Sequence, residues 1–262
     1  MNQLDLKGRV AVVTGGAQGI GYAVAERMLR SGATVVLWDI NGIQLRRAAA
    51  DLAALGPIDT AVVELTDEPS VEAATHAAIV AHGRIDALVN SAYVPGRFGP
   101  VESADLDDWR GTLDVNLFGT MQLTQAVIPV MKKQGGGAIV MINSLVTRKP
   151  MPYQGGYATS KAALTAATAQ LALELGQYGI RVNSAYMGWM WGPPVEGYLR
   201  DAAARQGTTV EALAKGIARS IPLGRIPDDA DCAKAALFLV SDYACVVTGA
   251  ALDVNGGEFL PR

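Results

Sequence analysis

Apolar residues in this chain fall into short unbroken runs, separated by longer stretches in which they recur every three or four positions. Arg9–Thr14 (RVAVVT), Thr34–Trp38, Thr60–Leu65, Ala87–Asn90, Ala138–Ile142, Arg181–Ala185 and Ala251–Val254 have the length and composition of strands. They are continuously apolar, as strands covered on both faces should be. Helical spacing runs through Ile20–Arg30, Ile43–Leu55, Ser70–Ala81, Leu106–Lys132 (with a break expected near its start), Tyr157–Gln177 and Ala230–Val240. Strands that alternate with helices predict an α/β fold whose parallel, doubly wound sheet carries helices on both faces. Tyr186–Gly216 holds Pro193-Pro194 and several aromatics and is too long for a tight connection. It reads as a substrate loop with a short helix or two. With no Ser- or Pro-rich linker and no internal repeat, residues 1–262 read as one domain.

Composition narrows the class. Half of the residues are hydrophobic and 18% are charged, which suits a compact protein with a sizeable core. A net charge of −3 argues against a nucleic-acid surface. No run of 18 apolar residues exists to cross a membrane, and Met1–Lys7 lacks the features of a signal peptide, so a cytoplasmic location is expected. Cys232 and Cys245 lack CxxC spacing and a nearby histidine, so they read as buried or partly buried thiols, with no metal site. His76 and His82 fall on and just after one predicted helix and read as surface residues.

Two segments carry chemistry. Thr14-Gly15-Gly16-Ala17-Gln18-Gly19-Ile20-Gly21 joins the first strand to the first helix with G-x-x-x-G-x-G spacing. Glycine lets the backbone turn sharply and approach a ligand, and the helix N-terminus offers free N–H groups to a pyrophosphate. Asp39 follows Gly21 by eighteen residues, at the end of the second strand. A carboxylate there accepts ribose hydroxyls and repels a 2′-phosphate. The next residues are Ile40 and Asn41, and Arg46 and Arg47 should face solvent, so NAD is expected rather than NADP. Capping of the next helix by Asp39 is compatible with the same geometry.

The second segment is Gly155-Gly156-Tyr157-Ala158-Thr159-Ser160-Lys161. On a helix, Tyr157 and Lys161 share one face. A free tyrosine has a pKa of about 10, and lowering it to about 7 takes roughly 4 kcal/mol. A neighbouring lysine and a nicotinamide cation each favour the phenolate. The pair alone is a weak signal, because Y-x-x-x-K recurs on many helices. Ser144, thirteen residues upstream, and the Gly-rich turn give it a context.

With these residues in order, the sequence resembles the short-chain dehydrogenase/reductase family over essentially its whole length. The matching elements are the Thr14–Gly21 turn, Asp39, Asn90-Ser91-Ala92, Asn116, Ser144, Tyr157/Lys161, Ile221-Pro222-Leu223-Gly224-Arg225 and Thr248-Gly249. The resemblance implies a single Rossmann-type domain with a seven-stranded sheet. It also implies a homotetramer or homodimer paired through the two long helices that carry Asn116 and Tyr157. It assigns Tyr157 as general acid/base, Lys161 as phenolate stabiliser and ribose ligand, and Ser144 as the group that polarises the substrate oxygen. Asn116 would keep a helix kink and a relay water. The implied cofactor contacts are Gly15, Gln18, Gly19, Ile20, Gly21, Asp39, Ile40, Glu64, Leu65, Asn90, Ser91, Ala92, Tyr157, Lys161, Gly188 and Met190.

The sequence departs from the family pattern at several places. Tyr93 replaces the glycine of Asn-Asn-Ala-Gly, Glu64 stands where an acidic residue meets adenine, and Met187-Gly188 replaces Pro-Gly. Gly192 replaces a threonine that would contact the carboxamide or phosphate, and Asn255 stands in the usual Asp-Gly-Gly. By resemblance, the substrate is chosen by segments holding Tyr93, Val94, Leu145, Tyr153, Trp189 and Trp191. Their aromatic and Met content favours a secondary alcohol or ketone on a hydrophobic or cyclic skeleton. Arg97 and Arg148 leave a carboxylate on the substrate possible. Two other functions remain open: a 3-oxoacyl (carrier-protein-type) reductase, against which Asp39 speaks, and a non-catalytic NAD-binding regulator.

Overall fold

The computed structural model describes residues 4–261. Seven strands form one parallel sheet: β1 (Val10–Thr14), β2 (Thr34–Asp39), β3 (Ile58–Val62), β4 (Ala87–Asn90), β5 (Gly137–Ser144), β6 (Ile180–Met187) and β7 (Ala251–Val254). Their order is β3-β2-β1-β4-β5-β6-β7. The sheet is the expected Rossmann type, and β3 corrects a boundary. It lies two to three residues earlier than the apolar run Thr60–Leu65, because its only partner, β2, ends at Asp39 opposite Val62. Val63 and Leu65 are buried all the same, beyond the strand.

Nine helices connect the strands among the described residues: α1 (Gly19–Arg30), α2 (Gly42–Leu52), α3 (Glu68–His82), α4 (Leu106–Leu113), α5 (Thr120–Gln134), α6 (Gly155–Leu175), α7 (Pro193–Gln206), α8 (Val210–Ala218) and α9 (Asp229–Val240). The strands present alternate side chains to two cores. Val13, Val35 and Leu37 pack with Val24 and Met28 of α1, Leu45 of α2 and Ala233 of α9. Val12, Val36, Leu88 and Ile139 pack with Val71 of α3, Leu123 and Val127 of α5 and Leu164 of α6. Burial on both faces explains why the strands are continuously apolar. None of these helices is long and apolar enough to cross a membrane.

The long helix expected over Leu106–Lys132 is interrupted by a π-helical segment, Asp114–Gly119, between α4 and α5. Its wider turn carries Asn116, which is fully buried. The stretch expected to be largely irregular, Tyr186–Gly216, holds the end of β6, the 14-residue α7 and most of α8. His76 is exposed and His82 is half-buried, with Nε2 2.9 Å from Asp59 on the edge strand β3. Cys232 is buried as expected, but Cys245 is exposed because it follows a short surface turn, Asp242–Ala244.

Leu88 is fully buried on β4, beside the point where the strand order reverses. Leu88→Ala should lower the unfolding free energy by about 2–5 kcal/mol, read as a shifted urea midpoint.

Candidate active site

The strand order reverses between β1 and β4, so the connections that follow them leave in opposite directions and open a crevice at the carboxyl ends. Thr14 holds the floor of this crevice. Its hydroxyl accepts hydrogen bonds from the N–H groups of Ser91 and Ala92, each at 3.0 Å. Gly15 has φ +62, and a Cβ there would stand 2.9 Å from Ala92 Cα. Only glycine permits this closeness. Beside it, the first turn of α1 has no side-chain cap at Gln18. Its N–H groups therefore remain available to an anion.

The crevice widens into a cavity of about 820 Å³, within the range of cofactor pockets. At one end its wall holds Gly15, Gln18, Gly19, Ile20, Asp39, Ile40, Glu64 and Leu65. Both carboxylate oxygens of Asp39 are fixed by backbone: Oδ2 accepts from Ala17 N–H at 3.1 Å and Oδ1 from Asn41 N–H at 2.9 Å. The cap of α2 is Asn41 rather than Asp39. Arg46 and Arg47 are exposed and lie outside the cavity wall. Glu64 bends back, its Oε1 accepting from the Thr66 N–H and hydroxyl. The turn, the uncapped helix end and the carboxylate together fit the pyrophosphate and ribose of a dinucleotide.

At the other end, the wall holds Ser91, Ala92, Tyr93, Val94, Ser144, Leu145, Gly188, Trp189 and Met190. Ser144 closes β5, and its Oγ accepts from Val146 N–H at 3.3 Å. Tyr157 and Lys161 lie behind this wall, on the first turns of α6. Trp109 of α4 seats that helix end: a Cβ at Gly155 would meet Trp109 Cζ2 at 2.2 Å. Tyr93 stands against the pair. Its ring centre is 5.8 Å from that of Tyr157, with the planes tilted by 52°, and Lys161 Nζ is 5.7 Å from the Tyr93 ring. Lys161 is almost fully buried, and its ammonium donates to the Ile142 carbonyl at 2.8 Å.

Electrostatics here run against the expectation for the pair. Burial pushes the Tyr157 phenol above its ordinary value, Tyr93 adds to the rise, and the Ser144 hydroxyl acts in the opposite direction. Burial also brings the Lys161 ammonium down to about 8. Nζ lies 5.9 Å from the Tyr157 ring centre and is engaged by a carbonyl. The protein by itself thus holds a neutral phenol at neutral pH, and the lysine does not offset the loss of water around it.

Several predicted residues stand elsewhere. Asn116 is behind the wall, its Oδ1 accepting from Val94 N–H while Nδ2 donates to the Val94 carbonyl and Ser160 Oγ. Asn90 points away from the cavity and donates to Thr124 Oγ1. Gly21 packs against the Gly15 carbonyl, where an added Cβ would come within 2.2 Å. Trp191 bridges to Asp228 as a strand pair, outside the wall. Tyr153 is also outside it, exposed, with the unusual φ of +70 for a bulky residue. Arg97 faces Asp105 and Asp108, and Arg148 faces Asp253 and stacks on Tyr186, so neither lines the cavity. Phe98, Tyr198 and Asp229 do line it. They went unnoticed in the sequence because no local pattern marks them.

This geometry belongs to a recognisable class. A family model described as enoyl-(acyl carrier protein) reductase, of short-chain dehydrogenase/reductase type, matches residues 15–258. A D-threitol dehydrogenase from Mycolicibacterium smegmatis is 38% identical over 253 residues, 96% of this chain and 93% of that protein. The structure of an L-sorbose reductase from Gluconobacter frateurii, complexed with NADPH and L-sorbose, superposes with a TM-score of 0.95 at 27% identity, covering 100% of both chains. An NAD+-bound xylitol dehydrogenase structure gives a TM-score of 0.90 at 29% identity, covering 98% of this chain and 100% of that one. The chain belongs to the short-chain dehydrogenase/reductase family, whose members are oxidoreductases that act on alcohol and ketone groups.

The position of Lys161 predicts a pH effect on stability. Its native pKa of about 8 lies below the ordinary 10.5, so the native state loses this proton first as pH rises. Between pH 8 and 10.5 the unfolded state binds more protons, and stability rises with pH. Relative to Lys161→Met, the wild type should gain up to about 3 kcal/mol across that window. Urea denaturation at a series of pH values checks this; a constant difference would refute it.

Proposed function

We propose that this protein is an NAD-dependent oxidoreductase that interconverts a secondary alcohol and a ketone on a hydrophobic or cyclic skeleton. One observation carries the reading: Ser144 lines one end of a cavity, with Tyr157 and Lys161 directly behind that wall, and the Gly-rich turn and Asp39 line the other end. A bound nicotinamide dinucleotide supplies the hydride acceptor or donor and, when oxidised, a positive charge at this end. The Gly15–Ile20 turn would hold its phosphates and Asp39 its adenosine ribose.

The remaining roles fall to the chain's own side chains. In oxidation, the Ser144 hydroxyl donates to the substrate oxygen and fixes its direction. The Tyr157 phenolate takes the alcohol proton, the freed O–H pair closes the C=O bond, and the carbinol hydrogen leaves with its bonding pair as the hydride that the cofactor would accept; in reduction the phenol returns the proton. Lys161 faces Tyr157 across 5.9 Å and stabilises the phenolate in concert with the cofactor's charge. Asn116 keeps Val94 and Ser160 in place around the pair. Tyr93 stands against Tyr157 and, with Leu145, Trp189 and Val94, presents an apolar wall to the substrate.

Asp39 supports NAD over NADP, because its carboxylate, fixed by two backbone N–H groups, would face a 2′-phosphate and no arginine among the described residues lines that wall. The exposed Phe118 and Leu173, in the π segment before α5 and on α6, support a homotetramer or homodimer paired through these elements. A cytoplasmic location belongs to the same reading.

Tyr157→Phe should lower kcat by about 10²–10⁴-fold while NADH binding persists. Near-native turnover by that variant would sink the mechanism. In a panel of cyclic alcohols, linear polyols and ketones, kcat/KM should favour cyclic apolar compounds and NAD. Like charge at Asp39 should cost NADP about 100-fold, a gap that Asp39→Ala narrows at least about tenfold. Faster turnover of polyols, the compounds named for the threitol relative, would overturn the substrate half alone.

A further inference from the structure

The first turns of three helices meet at one side of the cavity, and a single carboxylate stands between them. A Cβ built on Gly192, which precedes α7, would lie 1.9 Å from Oδ2 of Asp229, the first residue of α9. A Cβ built on Gly19, which opens α1, would lie 3.9 Å from the same oxygen and 3.3 Å from Pro194 Cγ of α7. The backbone holds this arrangement: Trp191 N–H donates to the Pro227 carbonyl at 2.7 Å, and Asp229 N–H donates to the Trp191 carbonyl at 3.1 Å. Gly192 is extended, at φ 178, so only the carboxylate closes that position to a side chain. Gly19, Pro194 and Asp229 all line the cavity.

This half-buried carboxylate has no donor and no counter-ion among the described residues. Around it stand Asp228 and Cys232 at the start of its own helix, Glu196 on α7 and Tyr93 after β4. Arg225 and Lys234 are engaged by Asp228 and Asp231. On the other side lie the uncapped N–H groups of the first turn of α1, where the proposed function seats the pyrophosphate. An anion on that turn stands beside a like charge, and partial burial leaves the repulsion weakly screened. We propose that a dinucleotide binds here together with one proton, which Asp229 takes from solvent, so that its carboxyl group is neutral in the complex. The new O–H donates to a phosphate oxygen, and a charge conflict becomes a hydrogen bond. The inference rests on the cofactor reading above and adds a proton to its binding equilibrium. The free protein is prepared for this step, because burial, Asp228 and Glu196 raise the carboxyl pKa to about 6. At pH 7.5 the free protein therefore holds the carboxylate and the complex the acid. The complex has the extra proton, so affinity falls as pH rises above 6.

Calorimetric titration of the full-length protein tests the coupling. NADH and ADP-ribose, which share the pyrophosphate, are titrated at pH 7.5 in Hepes and in Tris, whose ionisation enthalpies differ. The wild type should take up close to one proton with either ligand. Its affinity for ADP-ribose should fall at least about tenfold between pH 6 and pH 8. Asp229→Asn keeps the shape of the side chain and offers an N–H at every pH. It should take up no proton and bind ADP-ribose at least about tenfold more tightly than the wild type at pH 8. A gain in affinity cannot arise from misfolding. Lys161, with its pKa of about 8, titrates in both proteins, so its effect cancels in the comparison. Equal enthalpies in the two buffers, proton uptake that persists in Asp229→Asn, or a requirement for Mg²⁺ in place of the proton would overturn the proposal and leave the cofactor reading intact. A wild type that binds neither ligand would overturn both.

Discussion

The contact between the ends of β1 and β4 dimensions everything in the cavity. One hydroxyl, that of Thr14, accepts two backbone N–H groups from the neighbouring strand, and Gly15 comes within van der Waals limits of Ala92. The two strands are thereby held in register up to the point where their connections part. Beyond it, the Gly-rich turn enters α1 on one side and Tyr93 and Val94 leave on the other. A side chain on Gly15 would push these segments apart and disturb both ends of the cavity together.

A second set of buried hydrogen bonds extends this control to Tyr157 and Lys161. Asn116 uses the wider π turn to reach Val94 on both its N–H and its carbonyl, and reaches Ser160 with the remaining amide hydrogen. Its amide thus joins the segment after β4 to the helix that carries Tyr157 and Lys161. The π segment has a mechanical reason: an uninterrupted α-helix would rotate residue 116 by a different angle. The same packing that orients the pair also dries it. Desolvation raises the phenol and lowers the ammonium to about 8, so at neutral pH the protein alone holds an un-ionised phenol beside a lysine that is still mostly charged. In the function proposed above, positive charge that arrives with a ligand would favour the phenolate.

Legibility in the sequence followed how local each constraint is. The strands of the central sheet were readable because burial on both faces requires continuous apolar runs. The end of β3 was not, because it depends on where its partner β2 stops. The Gly-rich turn and the Y-x-x-x-K pair were readable because backbone closeness and helical spacing are written in consecutive residues. Trp191 and Tyr153 were placed in the substrate wall by resemblance to the family, yet one is taken up by a bridge to Asp228 and the other is exposed outside the wall. Asp229, 37 positions after Gly192, carried no signal, because its meaning arises only where the two meet.

By itself, then, the sequence determined the α/β class, a Gly-rich turn between the first strand and the first helix, and the placing of Tyr157 and Lys161 on one helix face. These follow from periodicity and from functional groups spaced along single elements. Tertiary structure decided the rest: that Tyr93 lies against Tyr157, that Lys161 is spent on a carbonyl of β5, and that Asp229 fills the gap at Gly192. Each of these sets a side chain from one element against a different element. The energies involved, desolvation and close contact, depend on three-dimensional surroundings and leave no periodic mark on the chain.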